Sequence, residues 1–400
     1  MIVRYETWGA WVKLETVAAL VALDRDGVRA LGLDGGDAWG EGAHRESAPV
    51  EVHLAVTSRC AAGCEGCYLD ARPDGHEPSQ GEMTRVLDAL ADAGVFTVAF
   101  GGGEPTTRED LDVLAEYARA RGLSPVLTTS GLGLSPAKLE RLAAFAQVNV
   151  SYDGAGEDYA RVRGFDGASA AEDAIRRLVE RGVPVGVNVV LTRETFPRLA
   201  RTLDRARALG AGEAQLLRYK PAGRAASLDY LARRLTPEQA ASLGPTLRAL
   251  SLDHATRPGS FHLRIDCALV AFLSADPELY GSPERLARFG VFGCEAGGAL
   301  AAVKVDGLVA PCSFSSSTGL RGTDLRHGHE GDPELARWRA YNESPAEPCA
   351  SCTMRPVCKG GCKVVSSYVE GVHGPDPECP RVRAWRAAAA ATDEPAEVTA

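Results

Sequence analysis

The chain has 400 residues, 45% of them hydrophobic and 24% charged, with a formal net charge of −9. That length calls for more than one core, no basic stripe suggests nucleic-acid binding, and no apolar run approaches the roughly 18 residues of a membrane span. The opening MIVRYETWGA lacks the basic-then-apolar pattern of a secretory signal, and the eleven cysteines are odd in number. Both features argue for a reducing cytoplasm, where closely spaced cysteines ligate metals or clusters instead of forming a disulfide framework.

Residues 1–47 read as a lead-in of two β-like runs, 2–15 and 18–31, followed by a Gly-rich stretch. From Pro49 the pattern becomes strand, turn, helix, repeated. Val50, Val52, Leu54 and Val56 alternate as a strand, and a helix over 79–93 is closed by Gly94. A strand over 95–100 ends in three glycines, Thr107 with Asp110 is expected to cap the next helix, and a third strand covers 125–129. Ser135-Pro136 starts a further helix. Strands over 148–152, 184–191 and 214–218 bring the number to six, with helices over 169–181 and 196–209; Ser169 with Glu172 reads as a capping box. This alternation means a parallel α/β sheet, and both a partial barrel and an open doubly wound sheet fit it. Residues 226–290 read as mostly helical, the texture after Phe292 is rich in Gly, Pro and Cys, and the tail from Ala387 is expected to fray.

Cys60, Cys64 and Cys67 follow the first strand in C-x3-C-x2-C spacing. Three thiolates so close can hold three irons of a four-iron cluster and leave one iron open; a three-cysteine zinc or structural site is the alternative. One β/α unit later comes Phe100-Gly101-Gly102-Gly103-Glu104-Pro105, whose glycines permit close backbone approach. Over residues 48–225 these motifs, in this order, resemble the radical SAM superfamily. The resemblance implies a partial (β/α)6 TIM-like barrel that binds S-adenosylmethionine on the cluster. Gly102, Gly103 and Glu104 would then meet the methionyl amino group, Thr129 the ribose, and Ser151 with Arg163 the carboxylate. Many members carry an aromatic residue just before the third cysteine, where this chain has Gly66, so Tyr68 is assigned to the adenine. Asp153-Gly154 reads as a plain turn.

A second group comprises Cys294, Cys312, Cys349, Cys352, Cys358, Cys362 and Cys379. Its spacing over residues 291–382 resembles a SPASM domain, a small, metal-organised C-terminal domain, with paired zinc sites as the alternative. By that resemblance Cys349, Cys352, Cys358 and Cys379 hold one auxiliary [4Fe-4S] cluster, and Cys294, Cys312 and Cys362 the other. Cys267 either completes the latter, leaves an iron open to substrate, or is a small buried residue. The domains are then 1–47, 48–225, a bridge over 226–290, 291–382 and a tail over 383–400.

The resemblance implies three [4Fe-4S] clusters and reductive cleavage of S-adenosylmethionine to a 5′-deoxyadenosyl radical, with an electron donor such as flavodoxin or ferredoxin. The expected substrate is a ribosomally made peptide or partner protein, modified by crosslinking, epimerisation or side-chain oxidation. Residues 1–47 are short for a complete peptide-recognition domain, so either a separate recognition protein or direct docking of the peptide is expected. No nucleic acid or membrane is expected. The alternative is maturation of a small molecule or cofactor. Residues 4–10 (RYETWGA), Glu51-Val52-His53-Leu54 and Arg218-Tyr219-Lys220-Pro221 resemble maturases associated with tungsten-cofactor oxidoreductases. A non-catalytic electron-transfer or zinc protein would leave the adenosylmethionine motifs idle. Arg218, Tyr219 and Lys220 follow the sixth strand, where a structural role is expected, and no residue is assigned as catalytic.

Overall fold

The computed structural model describes residues 1–14, 19–39, 46–227 and 230–393. Alternation along the first barrel strand sets the architecture. In β4 (Glu51–Thr57), Val52, Leu54 and Val56 are fully buried, whereas Glu51, His53 and Ala55 face an internal cavity. The remaining core strands are β5 (Thr97–Gly102), β6 (Ser124–Thr129), β7 (Gln147–Ser151), β8 (Val185–Leu191) and β9 (Glu213–Arg218). Each pairs in parallel with the next. A doubly wound sheet reverses its order at a switch point; this one runs β4 to β9 without reversal. Right-handed crossovers all made in one direction keep the helices on one face, so the sheet curls. Residues from its two ends, such as His53 and Gln215, therefore line one cavity of about 920 Å³. The structure thus selects the partial barrel.

The sheet has nine strands, in the order β10-β9-β8-β7-β6-β5-β4-β11-β12. β10 (His262–Ile265) extends the β9 edge in parallel, so the bridge expected to be mostly helical supplies a strand. β11 (Leu300–Val303) pairs in parallel with β4 and carries β12 (Val309–Ala310) antiparallel. The cysteine-rich region is thereby part of the barrel's own sheet.

The lead-in differs from its reading. It forms a meander of β1 (Ile2–Glu6), β2 (Gly9–Leu14) and β3 (Ala19–Asp24). The first run breaks at Thr7-Trp8, and the second ends where the Asp24 carboxylate caps a helix, Arg25–Ala30. The meander sits across the bottom of the barrel. Arg4 donates to Pro49 O and Gly94 O, both at 2.9 Å, and Lys13 donates to Gly122 O at 2.7 Å.

Two expected caps give way to tertiary demands. Asp110 is the N-cap of Leu111–Ala120 but makes no capping bond; it holds the buried Arg108 through two hydrogen bonds, while Thr107 donates to Glu104 O. A buried guanidinium is costly without a carboxylate, which outweighs a cap. The other helix begins at Ala168 behind Gly167, and Glu172 instead accepts from Tyr152 and Arg205. The Ser79/Glu82 capping box forms as a cap should. At the C-terminus the helix Pro380–Asp393 runs through most of the alanine-rich segment expected to fray. Alanine has the highest intrinsic helix propensity, which favours continuation. Residues 394–400 lie outside the described residues.

Candidate functional site

β4 ends at Thr57 and hands the chain to the three-cysteine loop at the mouth of the cavity, which Cys60, Cys64 and Cys67 line. A loop this short has few internal bonds, so neighbours fix it. Cys60 N–H donates to Arg72 O at 2.8 Å, and Glu65 N–H donates to Arg163 O at 3.2 Å. The main brace was not seen in the sequence. Arg224 donates twice to Cys64 O (3.0 and 2.9 Å) and also to Asp70 and Ala71 O, while its own N–H reaches Cys67 O at 2.9 Å. Gly223 makes this possible: at φ +55° it sits where a Cβ would lie 2.6 Å from Cys67 O. The signal was available, a Pro-x-Gly-Arg turn just past the sixth strand. Burial pushes the Cys60 thiol up, helped by Glu104 and the other two cysteines.

Gly102 and Gly103 lie against this loop. A Cβ on Gly102, at φ +120°, would come within 2.2 Å of Thr57 O, and one on Gly103 within 2.2 Å of Arg59 O. The Glu104 carboxylate is buried and fully engaged. Oε1 accepts from Thr106 N, Thr106 Oγ1 and Thr129 Oγ1, and Oε2 accepts from Ser130 N and Ser130 Oγ. Thr129 and Glu104 are thus partners that tie β6 to the glycine loop.

Ser151 ends β7, and Arg163 ends the helix Glu157–Arg163; both line the cavity. Arg163 Nε donates to Asp153 Oδ2 at 2.7 Å, and Nη1 comes within 3.6 Å of Cys64 Sγ. Asp153 is no plain turn residue: it is 1% exposed, and its second oxygen accepts from Val190 N at 2.7 Å. Burial opposes the charge of Arg163, but Asp153, Tyr159 and Cys64 together outweigh it and hold the guanidinium protonated. Tyr68 stacks on Phe314 with ring centres 4.6 Å apart, so one wall of the cavity joins the first cysteine loop to the residues after Cys312. Gly66 faces Tyr219, whose ring would lie 3.2 Å from a Cβ there. Below, on β4, His53 bridges Glu51 (2.9 Å) and Ser313 Oγ (2.6 Å).

The other eight cysteines fall into two neighbourhoods. Cys349, Cys352, Cys358 and Cys379 line one small cavity away from the chamber. Burial and mutual repulsion push Cys349 up to about 12 and raise Cys358 as well. Cys267, Cys294, Cys312 and Cys362 act electrostatically on one another closer to the chamber, and burial takes Cys362 to about 12. Arg218 and Lys220 are buried there. Arg218 pairs with Asp376 and Glu378, and Lys220 with Asp266 at 2.6 Å. Eight cysteines gathered into two such groups offer the soft thiolate donors that zinc and iron–sulfur centres take.

A family model described as "Radical SAM superfamily" matches residues 54–206. The chain is 30% identical over 349 residues to "PqqA peptide cyclase" of Rhodopseudomonas palustris, covering 83% of this chain and 86% of that one. It is 31% identical over 355 residues to "Mycofactocin maturase MftC" of Mycolicibacterium smegmatis, covering 86% and 85%. Among solved structures, Streptococcus suis SuiB bound to its precursor peptide SuiA superposes with TM-score 0.74 at 18% identity, over 94% of this chain and 98% of that one. A fold shared across nearly the whole chain, relatives at this identity and a cysteine loop set against a Gly-Gly-Glu turn lead to one assignment: the chain belongs to the radical SAM superfamily and is an enzyme of its SPASM-bearing branch.

Proposed function

We propose that this enzyme cleaves S-adenosylmethionine reductively in the barrel chamber and uses the resulting radical to modify a ribosomally made peptide. The observation that carries the reading is convergence. Three thiols of one loop, the Gly102–Gly103 backbone, Ser151 and Arg163 all line a single chamber. A four-iron cluster held by Cys60, Cys64 and Cys67 supplies the electron that gives methionine and the 5′-deoxyadenosyl radical. The chain's own residues bind and orient. Arg163, next to Cys64, is placed for the methionyl carboxylate, with Ser151 beside it. The Glu104 carboxylate already carries five donors, so it positions the glycine loop and leaves the ammonium to backbone carbonyls. Thr129 acts with it, and Tyr68 walls the chamber on the side toward Phe314.

Two auxiliary [4Fe-4S] clusters complete the inventory, on Cys349/Cys352/Cys358/Cys379 and on Cys267/Cys294/Cys312/Cys362. Zinc fits these sites less well. Sulfurs on one tetrahedral zinc lie about 3.8 Å apart. Among the described residues the one set of three ligating atoms within 4.8 Å of one another is Asp204, Asp253 and His254, with no cysteine in it. The peptide substrate is supported by the relatives, a peptide cyclase and a maturase, and by the chamber's size. Among the described residues no helix is long and apolar enough to cross a membrane. A cytoplasmic enzyme fed by flavodoxin or ferredoxin, with a separate recognition protein for the peptide, completes the reading.

The test is anaerobic reconstitution with iron and sulfide, then dithionite and S-adenosylmethionine, with mass-spectrometric detection of 5′-deoxyadenosine. Formation by the native chain and its loss in Cys64→Ala is expected. Zinc in place of iron after reconstitution, with no 5′-deoxyadenosine, would overturn the proposal.

A further inference from the structure

Just past β9 the chain buries a lysine that the adenosylmethionine site does not use. Lys220 Nζ lies 2.6 Å from Asp266 Oδ2 and 4.1 Å from the centre of the Phe314 ring. Asp266 Oδ1 accepts from Cys267 Sγ at 3.3 Å and Ala268 N at 3.2 Å, and Oδ2 also accepts from Arg218 N at 3.2 Å. Lys220, Asp266 and Phe314 line the chamber. On their other side stands the Cys267 thiol, whose Sγ donates to Asp266, and Phe314 follows Cys312 by two residues. The ion pair is therefore the partition between the chamber and the nearer four-cysteine site. A buried pair of this kind adds little stability over apolar residues of the same volume, so stability alone does not account for it.

Resting on the function proposed above, we infer that the Lys220–Asp266 pair sets the electron affinity of the cluster on Cys267, Cys294, Cys312 and Cys362. Reduction adds one negative charge to that cluster. In a low-dielectric wall a nearby cation stabilises the reduced form and a nearby carboxylate opposes it. Lys220 raises the potential and Asp266 restrains it while orienting Cys267. Lys220 and Asp266 are positioning residues in this scheme, acting on the cluster that Cys267 would help to hold.

The experiment is an EPR-monitored redox titration of the full chain, reconstituted anaerobically in a Cys60→Ala/Cys64→Ala/Cys67→Ala background so that the C-terminal clusters alone report. Iron per chain is measured alongside. Lys220→Met is expected to lower one of the two midpoints and Asp266→Asn to raise the same one, with the other midpoint and the iron content unchanged. Lys220→Arg, which keeps the charge, should leave both in place. Midpoints unmoved at full iron content in both Lys220→Met and Asp266→Asn overturn the inference. Should Lys220→Met fail to hold iron, Asp266→Asn decides: a raised midpoint supports the inference, and an unmoved one overturns it. No iron–sulfur signal in the parent protein would instead overturn the proposed function itself.

Discussion

Glu104 shows how fully the neighbours of a candidate site can engage one buried carboxylate. Its two oxygens take five donors, two from backbone and three from hydroxyls. Glu104→Gln places an amide NH2 against those donors, and one oxygen loses its acceptor role. The expected result is a loss of about 2–3 kcal/mol in chemical denaturation, with adenosylmethionine affinity falling at least tenfold by calorimetry. His329 offers a pH test. It is fully buried, and burial, then the nearby Arg339, hold its imidazole down to about 4. Its folded pKa lies below the unfolded value, so the unfolded chain binds the proton first as pH falls. Stability linked to this residue is complete above about 6.5 and is lost between there and about 4, by about 3 kcal/mol. Unfolding curves from pH 7.5 to 4.5 should show this slope, and His329→Leu should flatten it.

At the scale of elements, the loop after β4 depends on the turn after β9. Arg224 fixes the Cys64 carbonyl across 160 residues of sequence. Arg224→Ala should leave the barrel folded by circular dichroism yet lower iron occupancy of the first site, measured as the loss of the adenosylmethionine-responsive EPR signal. Retention of that signal at full intensity would show that the loop holds itself. The cysteines and Gly102–Glu104 were legible because ligand chemistry and backbone permissiveness are local properties with fixed spacing. The helix at Ser79 was legible for the same reason, since both members of its cap lie within one turn. The caps read at Thr107 and Ser169 failed because Asp110 is taken by the buried Arg108 and Glu172 by Arg205, 33 residues on. The break at Thr7-Trp8 was missed because a two-residue hairpin turn without glycine at its centre carries little compositional signal.

For the whole molecule, a second link between barrel and cysteine-rich region, beside the β4–β11 pairing, is ionic and buried. Arg218 binds Asp376 and Glu378, and Asp376 also accepts from Cys362 N at 2.9 Å. Glu378 accepts in turn from Tyr230 and Arg234, next to Cys379. Arg218→Met leaves Asp376 buried without its cation and Glu378 with Arg234 alone, at a cost of about 3–5 kcal/mol. Thermal unfolding should move accordingly, and iron should be lost from the C-terminal sites before the barrel melts. Removing iron with a chelator is expected to abolish hydrogen-exchange protection over residues 349–379 while β5 to β8 keep theirs, because the liganded thiols organise that region. Equal protection with and without iron would show that the region folds on its own.

The sequence alone determined the ligand chemistry, the family resemblance and the places of the six core strands, because periodicity, spacing and side-chain type are properties of short segments. Tertiary structure alone decided that a meander closes the base of the chamber and that two further segments extend the sheet's edges. It also decided that Arg218 ties the barrel to Asp376 and Glu378 and that Arg224 braces the first cysteine loop. Each of these depends on partners far apart in the chain, and only the packed fold brings them within reach.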